Sequence, residues 1–434
     1  MPHRPLVAKL ALLVLIALLA PSFTCAQSSG SFNLVSIHTT GLARYTQDRV
    51  IRASGLRTGT IIAIADLQSA SGRLANSGAF DSISYRYSTR GQDLTVEFTA
   101  VETKDALPCM FDNFVWFTDA DLDNVLRQNV SFYDGKLPVR GESTAQARAA
   151  LQNFLREKGL PGEVNFMPYA PLGGQVNSLL FRVDGAPMPI KSVAFSGERQ
   201  VTSQQLSTAA SGLLGQNFSS LDVAGYAKTG LLPLYHQRGY LRAAFGPPHV
   251  ALVDPAAKGP SFDVAVTLTV KEGDQYSLSS INWSGNQAFS ADELSKAVAM
   301  LPHEVANTEK IDAGFHNAGK LYSSRGYINA QIVPQPQLDD AAKLAAYAVQ
   351  VKEGSQYHMG VITFDGVPER VAATLAKQWK LKPGDIYDAD YMFDFLSKVA
   401  LPELQRDGIK APHPKLNQLP DPSGLLVNLR IEFQ

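Results

Sequence analysis

Residues 270–276 read Val-Lys-Glu-Gly-Asp-Gln-Tyr, and residues 351–357, 81 positions later, read Val-Lys-Glu-Gly-Ser-Gln-Tyr. A second signal has nearly the same period. Five amphipathic stretches each end in a glycine that precedes an apolar residue and a strand-like run, with spacings of 81, 80, 87 and 82 residues; these glycines are Gly78, Gly159, Gly239, Gly326 and Gly408. So regular a period indicates that one supersecondary unit was copied five times.

The fourth copy shows the order of elements most clearly. Ser290 and Glu293 have the spacing of a capping box, and Gly326 is placed to end the second of two helices. The predicted elements are a strand from Leu278 to Gly285, a helix capped by Ser290, a helix from Asn307 or Thr308 to Gly326, and strands over 327–333 and 344–351. The unit is therefore predicted to be β-α-α-β-β.

The other copies repeat this order. In copies three to five the first strand ends at an early glycine; these are Gly197, Gly285 and Gly366. Copy two is the most divergent, because it lacks that glycine, and its first strand is predicted at residues 114–117, with Trp116 as a core anchor. We place the boundaries at 1–26 (signal peptide), 27–104, 105–187, 188–273, 274–355 and 356–434.

Two prolines mark a difference between the copies. Pro233 and Pro402 each lie six residues before the glycine that ends the second helix. Proline removes a helical hydrogen bond and clashes with the preceding turn, so both helices are predicted to kink or split. Copy four has Lys320 at the same position and is predicted to be uninterrupted.

The first 26 residues have the pattern of an export signal. Arg4 and Lys9 precede an apolar run of 11 residues, which is shorter than the ~20 residues that span a bilayer. Small residues before Gln27 favour cleavage after Ala26, and lipidation at Cys25 is the alternative. No other segment reaches membrane-spanning length, so the mature chain is expected to carry no transmembrane segment.

Composition excludes several classes of function. The net charge of -1 and the lack of a basic block argue against nucleic acid as a partner. The mature chain has one cysteine, Cys109, which is expected to be a buried small residue at a strand start.

Catalytic and metal motifs are not found. The acidic run from Asp119 to Asp123 lacks the glycine and glutamate of a calcium loop and fits a helix capped by Thr118 better. His236 lies near a predicted helix C-terminus, and an interaction with the helix dipole explains it better than a role as a metal ligand. We expect no enzyme activity, metal or cofactor, and we assign structural roles to the repeated motif residues; these are Gly78, Gly159, Gly197, Gly239, Tyr240, Glu272, Gly273, Tyr276, Gly285, Gly326, Tyr327, Glu353, Gly354, Tyr357, Gly366 and Gly408.

An exported β-α-α-β-β unit with V-x-E-G-x-x-Y before its first strand and Gly-Tyr after its second helix resembles the polypeptide-transport-associated (POTRA) domain. The resemblance is good in copies three to five, moderate in copy one and poor in copy two. It implies five tandem domains in an elongated array, similar to the periplasmic array of BamA-type outer-membrane assembly factors. The sequence stops at Gln434, directly after the last strand of copy five, so we expect the array without the β-barrel that follows it in that family.

The resemblance implies a periplasmic protein, associated with the outer membrane, that binds polypeptide clients or outer-membrane assembly proteins. The resemblance also allows a separate β-barrel protein as a partner. In that family an exposed sheet edge receives an extended segment by backbone pairing. Two alternatives stay open at this point: a spacer or adaptor between envelope complexes that binds no client, and a remnant of a barrel protein without its own activity.

Overall fold

The computed structural model describes residues 30–171, 173–409 and 413–434. These residues form five small sheets with helices packed against them, so the predicted α+β fold class is confirmed. The predicted signal segment lies outside the described residues, together with the choice between cleavage after Ala26 and lipidation at Cys25.

The chain divides into two compact units, and copies one and three to five each fall within one of them. The first unit contains Asp119–Gly159, Val164–Phe181 and the described residues up to Met110. The second contains Phe111–Thr118, Leu160–Glu163 and the described residues from Arg182 onward.

Copy one is a four-stranded sheet covered by two helices. Its elements are β1 (Ser31–Thr40), α1 (Gln47–Ser54), β2 (Ile61–Ala63), α2 (Ile64–Asn76), β3 (Phe80–Arg90) and β4 (Asp93–Glu102). The strand order is β2-β1-β4-β3, in which β1 is parallel to β4 and the other neighbours are antiparallel. Leu34 from the sheet and Leu67 and Leu74 from α2 are fully buried between the layers. The alternation of buried and exposed residues along β4 thus follows from one covered face.

Copy two has the same arrangement of elements. They are β5 (Ala106–Phe111), α3 (Asp119–Asn129), β6 (Lys136–Pro138), α4 (Ser143–Glu157), β7 (Glu163–Tyr169) and β8 (Ser178–Asp184), in the strand order β6-β5-β8-β7. Helix α3 begins with Asp119 and Asp121 in its first turn, where carboxylates meet the positive end of the helix dipole. The interpretation of this acidic run as a helix start is confirmed.

The predicted first strand of copy two was wrong. Residues 114–117 form a turn, closed by a hydrogen bond from the Phe117 N–H to the Phe114 carbonyl at 3.0 Å, and β5 is the first strand. Phe114 and Val115 are buried in this turn, and burial alone accounts for their apolar character. Trp116 packs edge-to-face against Phe262, with ring centroids 4.9 Å apart, so it is a core anchor that does not lie on a strand. A short apolar run does not by itself distinguish a strand from a buried turn.

Copy three has the most broken elements. They are β9 (Ile190–Ser196), α5 (Ser203–Ala209), a 3₁₀ turn (Ala210–Leu213), α6 (Ser220–Tyr226), a π turn (Ala227–Leu231), α7 (Leu232–His236), β10 (Ala244–Phe245), β11 (His249–Leu252) and β12 (Val264–Lys271). Strand β12 is central, and it pairs with β9 in parallel and with β10 and β11 in antiparallel orientation.

Copy four has the simplest order. Its elements are β13 (Ser277–Ser284), α8 (Ala291–Val298), α9 (Thr308–Ser324), β14 (Gln331–Asp339) and β15 (Leu344–Lys352), in the strand order β13-β15-β14. The predicted capping box is confirmed, because Ser290 N–H donates to Glu293 Oε2 at 2.9 Å and Glu293 N–H donates to Ser290 Oγ at 3.2 Å. Strand β14 begins at Gln331, four residues after the predicted Tyr327. The Tyr327 N–H instead donates to the Tyr322 carbonyl at the end of α9.

Copy five completes the series. Its elements are β16 (His358–Asp365), α10 (Glu369–Gln378), α11 (Ala389–Phe395), a π turn (Leu396–Ala400), α12 (Leu401–Arg406), β17 (Pro414–Asp421) and β18 (Leu426–Phe433), in the strand order β16-β18-β17. A π turn thus comes two residues before Pro233 and before Pro402, whereas α9 is continuous through Lys320. The predicted interruption is confirmed, and the wider turn accommodates a residue that lacks an N–H.

Candidate functional site: motif residues and open sheet edges

The early glycines lie against the end of the last strand of their own copy. A Cβ added to Gly197, Gly285 or Gly366 would lie 2.1–2.4 Å from a strand carbonyl oxygen, and each of the three has a φ between 77° and 85°. Gly41 in copy one has the same surroundings, with a Cβ position 2.0 Å from the Ala100 carbonyl oxygen. Only glycine permits both this close approach and this backbone conformation.

The motif glutamates fasten the loop that follows each early glycine. Glu272 is 8% exposed and accepts hydrogen bonds from the N–H groups of Arg199 and Gln200 at 2.7 and 2.9 Å. Glu353 accepts from the Ala288 N–H at 2.8 Å and from the Tyr322 hydroxyl at 3.0 Å. Burial and this carboxylate together raise the pKa of Tyr322. The carboxylates therefore anchor loops, and their contacts give no sign of acid–base chemistry.

Glu102 performs the same role in copy one, although the sequence analysis did not single it out. It accepts three backbone N–H groups, from Ala43 at 3.0 Å, Arg44 at 2.8 Å and Tyr45 at 3.0 Å. The neighbouring sequence lacks the glycine and tyrosine of the motif. The only signal was its position two residues after Ala100, which matches the position of Glu272 after Val270.

The glycine and tyrosine of the motif build a joint between successive copies in the second unit. Tyr276 N–H donates to the Gly239 carbonyl at 2.8 Å, and Tyr357 N–H donates to the Gly326 carbonyl at 2.8 Å. A Cβ on Gly326 would lie 2.4 Å from the Tyr357 carbonyl oxygen, and one on Gly239 would lie 2.8 Å from the Tyr276 carbonyl oxygen. The same backbone hydrogen bond therefore joins copy three to copy four and copy four to copy five.

Glutamine side chains complete each joint. Gln275 Nε2 donates to the Arg238 carbonyl at 2.8 Å, and Gln356 Nε2 donates to the Arg325 carbonyl at 2.9 Å. Both carbonyls are at a helix end, where they have no intrahelical partner. The remaining motif residues lie around these joints; they are Gly273 and Gly354, both with a φ of 71°, and the half-buried Tyr240 and Tyr327.

The helix-ending glycines fall into two groups. Gly78, Gly239 and Gly326 touch the following copy, and at Gly78 a Cβ would lie 1.8 Å from the Arg140 carbonyl oxygen. Gly159 and Gly408 also have a positive φ, but a Cβ there would meet no atom within 4 Å.

The sheet edge formed by the first strand is bent and partly covered. In copies one, three, four and five the first strand shifts register against its parallel partner near its start, at β1, β9, β13 and β16. The segment between the helices also pairs with it, as β2 or β6 in copies one and two and as single bridges in copies three to five. Bulges and covering segments are ways in which proteins blunt a sheet edge.

The opposite edge has no further strand beside it in the part of the chain that the structure describes. It is formed by β3, by β7, by β10 with β11, by β14 and by β17. These strands differ in proline content. Strand β7 contains Pro168, β14 contains Pro334 and Pro336, β17 contains Pro414 and Pro420, and the break between β10 and β11 contains Pro247 and Pro248. Strand β3 has eleven residues and no proline.

Other chemistry is sparse. No group of three His, Cys, Asp or Glu side chains that could hold a metal occurs in the described ranges. Burial lowers the pKa of His236, which opposes the expected interaction of a charged imidazole with the helix dipole. Cys109 is the fourth residue of β5 and is partly exposed, and burial raises the pKa of its thiol to about 12. None of the helices described is long and apolar enough to cross a membrane.

A groove of 810 Å³ lies between copies four and five. Phe315, Lys320, Phe393 and Leu416 are among its lining residues, and Phe393 is 61% exposed. Its walls mix apolar, acidic and basic side chains, with no convergent set of polar groups that would define a reaction.

Parts of the chain are similar in sequence to known proteins. Residues 276–354 match the POTRA family, described as surface antigen variable number repeat. A Treponema pallidum (strain Nichols) protein, named as a candidate outer membrane protein assembly factor, is 25% identical over 223 residues, which are 49% of this chain and 26% of that protein. The outer membrane protein assembly factor BamA of Buchnera aphidicola is 27% identical over 122 residues, 27% of this chain and 20% of that protein. This chain therefore covers only about a fifth to a quarter of the length of these curated relatives.

Among solved structures, POTRA domains 3–5 of Haemophilus influenzae BamA match at 21% identity and a TM-score of 0.41, covering 57% of this chain and 96% of that one. Residues 276–354 are thus similar to a POTRA domain. The resemblance to the arrays of BamA-type assembly factors is confirmed.

Proposed function

We propose that the protein is a periplasmic scaffold in outer-membrane protein assembly or polypeptide transport, that it is not an enzyme, and that it binds polypeptides as added strands. The observation that carries the proposal is the sheet edge opposite the first strand, which has no further strand beside it in the residues that the structure describes. Unpaired N–H and C=O groups on such an edge bind an extended segment through its backbone, so one edge accepts many sequences. The names of the curated relatives support the biological setting.

Crosslinking in cells tests this function. A photoreactive residue placed at an exposed position of an edge strand should capture outer-membrane proteins or assembly proteins. The matched probe goes on the exposed face of α9, for example at Lys310, and should capture few. Equal capture at both positions, or no polypeptide captured at any edge, would contradict the proposal. Cell fractionation with and without residues 1–26 tests the periplasmic location.

A spacer or adaptor is the second candidate, and the repeated joint favours it. Identical contacts at Gly239 and Gly326 tie copies three to five together without a linker. A spacer does not need to bind peptides at an open edge. Titration of the purified protein with unfolded strand peptides therefore separates the two functions. Saturable binding supports the scaffold, and its absence supports the spacer.

A further inference from the structure

We propose that strand addition takes place at the outer edge of β3 in copy one, and that the occupant is an extended segment in which apolar residues alternate with acidic or small polar ones. This inference rests on the proposed function and adds where the client binds and what sequence pattern it has.

Proline content separates β3 from the other open edges. Pro334 and Pro336 are two residues apart, so their backbone nitrogens point to the same side of β14, either toward β15 or toward the free edge. Facing inward, they would each remove a ladder bond to β15, to which every residue of β14 is paired. They therefore face the free edge and remove two successive donors there. Pro414 and Pro420 lie six residues apart and likewise leave β17 with a shortened row of donors.

The edges of copies two and three are also short or interrupted. Strand β7 has seven residues and contains Pro168, and the edge of copy three is split into β10, with two residues, and β11, with four. A segment added to these edges would form few consecutive backbone bonds. Strand β3 is the longest of the open edges and the one whose donors are all present.

The hairpin between β3 and β4 fixes which residues face outward. Arg90 pairs with Asp93 across a two-residue turn, and Gly91 has a φ of 64° at its first position. In such hairpins the flanking pair exchanges both backbone hydrogen bonds, and the pattern alternates from there. Arg90 and Ser88 thus direct their backbone groups to β4, whereas four residues direct theirs to the free edge; these are Ile83, Tyr85, Tyr87 and Thr89.

The side chains of β3 define what an added strand should carry. On the helix-covered face Ile83 and Tyr85 pack against the core, and Tyr87 is 48% exposed. An apolar residue of the partner beside Tyr87 would extend this layer.

The opposite face of β3 is polar and basic. It carries serines together with Arg86, which pairs with Glu97 at 3.2 Å, and the exposed Arg90. Acidic residues in the partner would complement these two arginines. Alternation of apolar and polar residues is also the pattern of a strand with one membrane-facing side.

The test uses the full mature chain and a fluorescent peptide of eleven residues, the length of β3, that alternates valine or tyrosine with serine or aspartate. Tyr87→Pro removes one outward donor, and Tyr87→Thr removes the ring but keeps the N–H. We expect at least a tenfold weaker affinity for Tyr87→Pro than for Tyr87→Thr. Hydrogen exchange of the β4 amides should show that both variants keep the sheet.

The reciprocal variant adds donors to a blocked edge. Pro334→Thr together with Pro336→Thr should create a second binding site and raise the stoichiometry of the complex. If Tyr87→Pro fails to fold, Ser88→Cys gives an independent reading, since the Cys109 thiol is protonated at neutral pH and reacts slowly. With a cysteine scanned along the peptide, disulfides should form at every second position, and Gln335→Cys on β14 should give none.

The outcomes separate the inference from the proposed function. Equal affinities for Tyr87→Pro and Tyr87→Thr, or disulfides without alternation, would overturn the assignment to β3 while binding by the protein stands. No saturable binding of the peptide to the unaltered chain would overturn both. Binding of the same affinity by a peptide with scrambled alternation would overturn the stated pattern alone.

Discussion

Gly326→Ala is expected to open the joint between copies four and five, and Gly408→Ala is its matched control. Both glycines end the second helix of their copy, with φ values of 83° and 82°. They differ in surroundings, because a Cβ on Gly326 would lie 2.4 Å from the Tyr357 carbonyl oxygen and one on Gly408 would meet nothing within 4 Å. The pair therefore isolates the contact between copies from the cost of the backbone conformation.

The magnitude follows from the bonds at the joint. The left-handed conformation costs a non-glycine residue about 1–2 kcal/mol, and this term applies to both variants. Room for the new methyl group requires a shift of Tyr357, which donates to Gly326 at 2.8 Å and accepts from the Tyr387 N–H at 3.0 Å. Loss of these two bonds adds about 1–3 kcal/mol. Gly326→Ala should thus lower local stability by about 2–5 kcal/mol, and Gly408→Ala by about 1–2 kcal/mol.

Hydrogen exchange measured by mass spectrometry on the full chain reads this difference locally, which matters because a chain of several domains does not unfold in one step. Exchange at Tyr357 and Tyr387 should be about 5 to 150 times faster in Gly326→Ala than in Gly408→Ala, since the two variants differ by about 1–3 kcal/mol and a factor of ten corresponds to about 1.4 kcal/mol. Equal exchange in the two variants would refute the reasoning, because the joint would then contribute nothing beyond backbone conformation.

Three further predictions test the loop anchors and the titrating groups. Glu102→Ala leaves three backbone N–H groups without their acceptor and should destabilise copy one by about 2–4 kcal/mol, measured by hydrogen exchange at the amides of copy one; Glu97→Ala, which breaks an exposed ion pair, should cost about 0–1 kcal/mol. Because burial lowers the pKa of His236, the unfolded chain binds its proton first, so stability is full above about pH 6.5 and falls as the pH drops below it; His236→Gln should flatten this part of the profile. Cys109 should react with iodoacetamide at pH 8 far more slowly in the native protein than in urea, and equal rates would show that burial does not protect the thiolate.

Local features were the ones that the sequence could predict. Ser290 and Glu293 form their capping box with neighbours three residues away, and Pro233 interrupts its helix through the turn before it. Both effects depend on residues within one or two turns of the chain, so the pattern contains the whole interaction. The helix-ending glycines belong to the same class, because a positive φ is a property of one residue.

Features that depend on distant residues could not be predicted. Glu102 lies 57–59 residues from the amides that it binds, and its own neighbours do not carry the motif. The short strands β2 and β6 form only because the segment between the helices returns to the first strand. The choice of β3 among the open edges needed the strand order, since proline content matters only once a strand is known to lie at an edge.

The π turns have a consequence for how the copies are aligned. From the N-cap Ser219 to Gly239 the chain advances 20 residues, and from the N-cap Asp388 to Gly408 it also advances 20, whereas from Asn307 to Gly326 it advances 19. The wide turn absorbs this one extra residue inside the helix, so both ends of the helix keep their places against the sheet. An alignment of copy four with copies three and five must therefore open a single-residue gap before the proline, and the two copies that share the insertion are not adjacent in the chain.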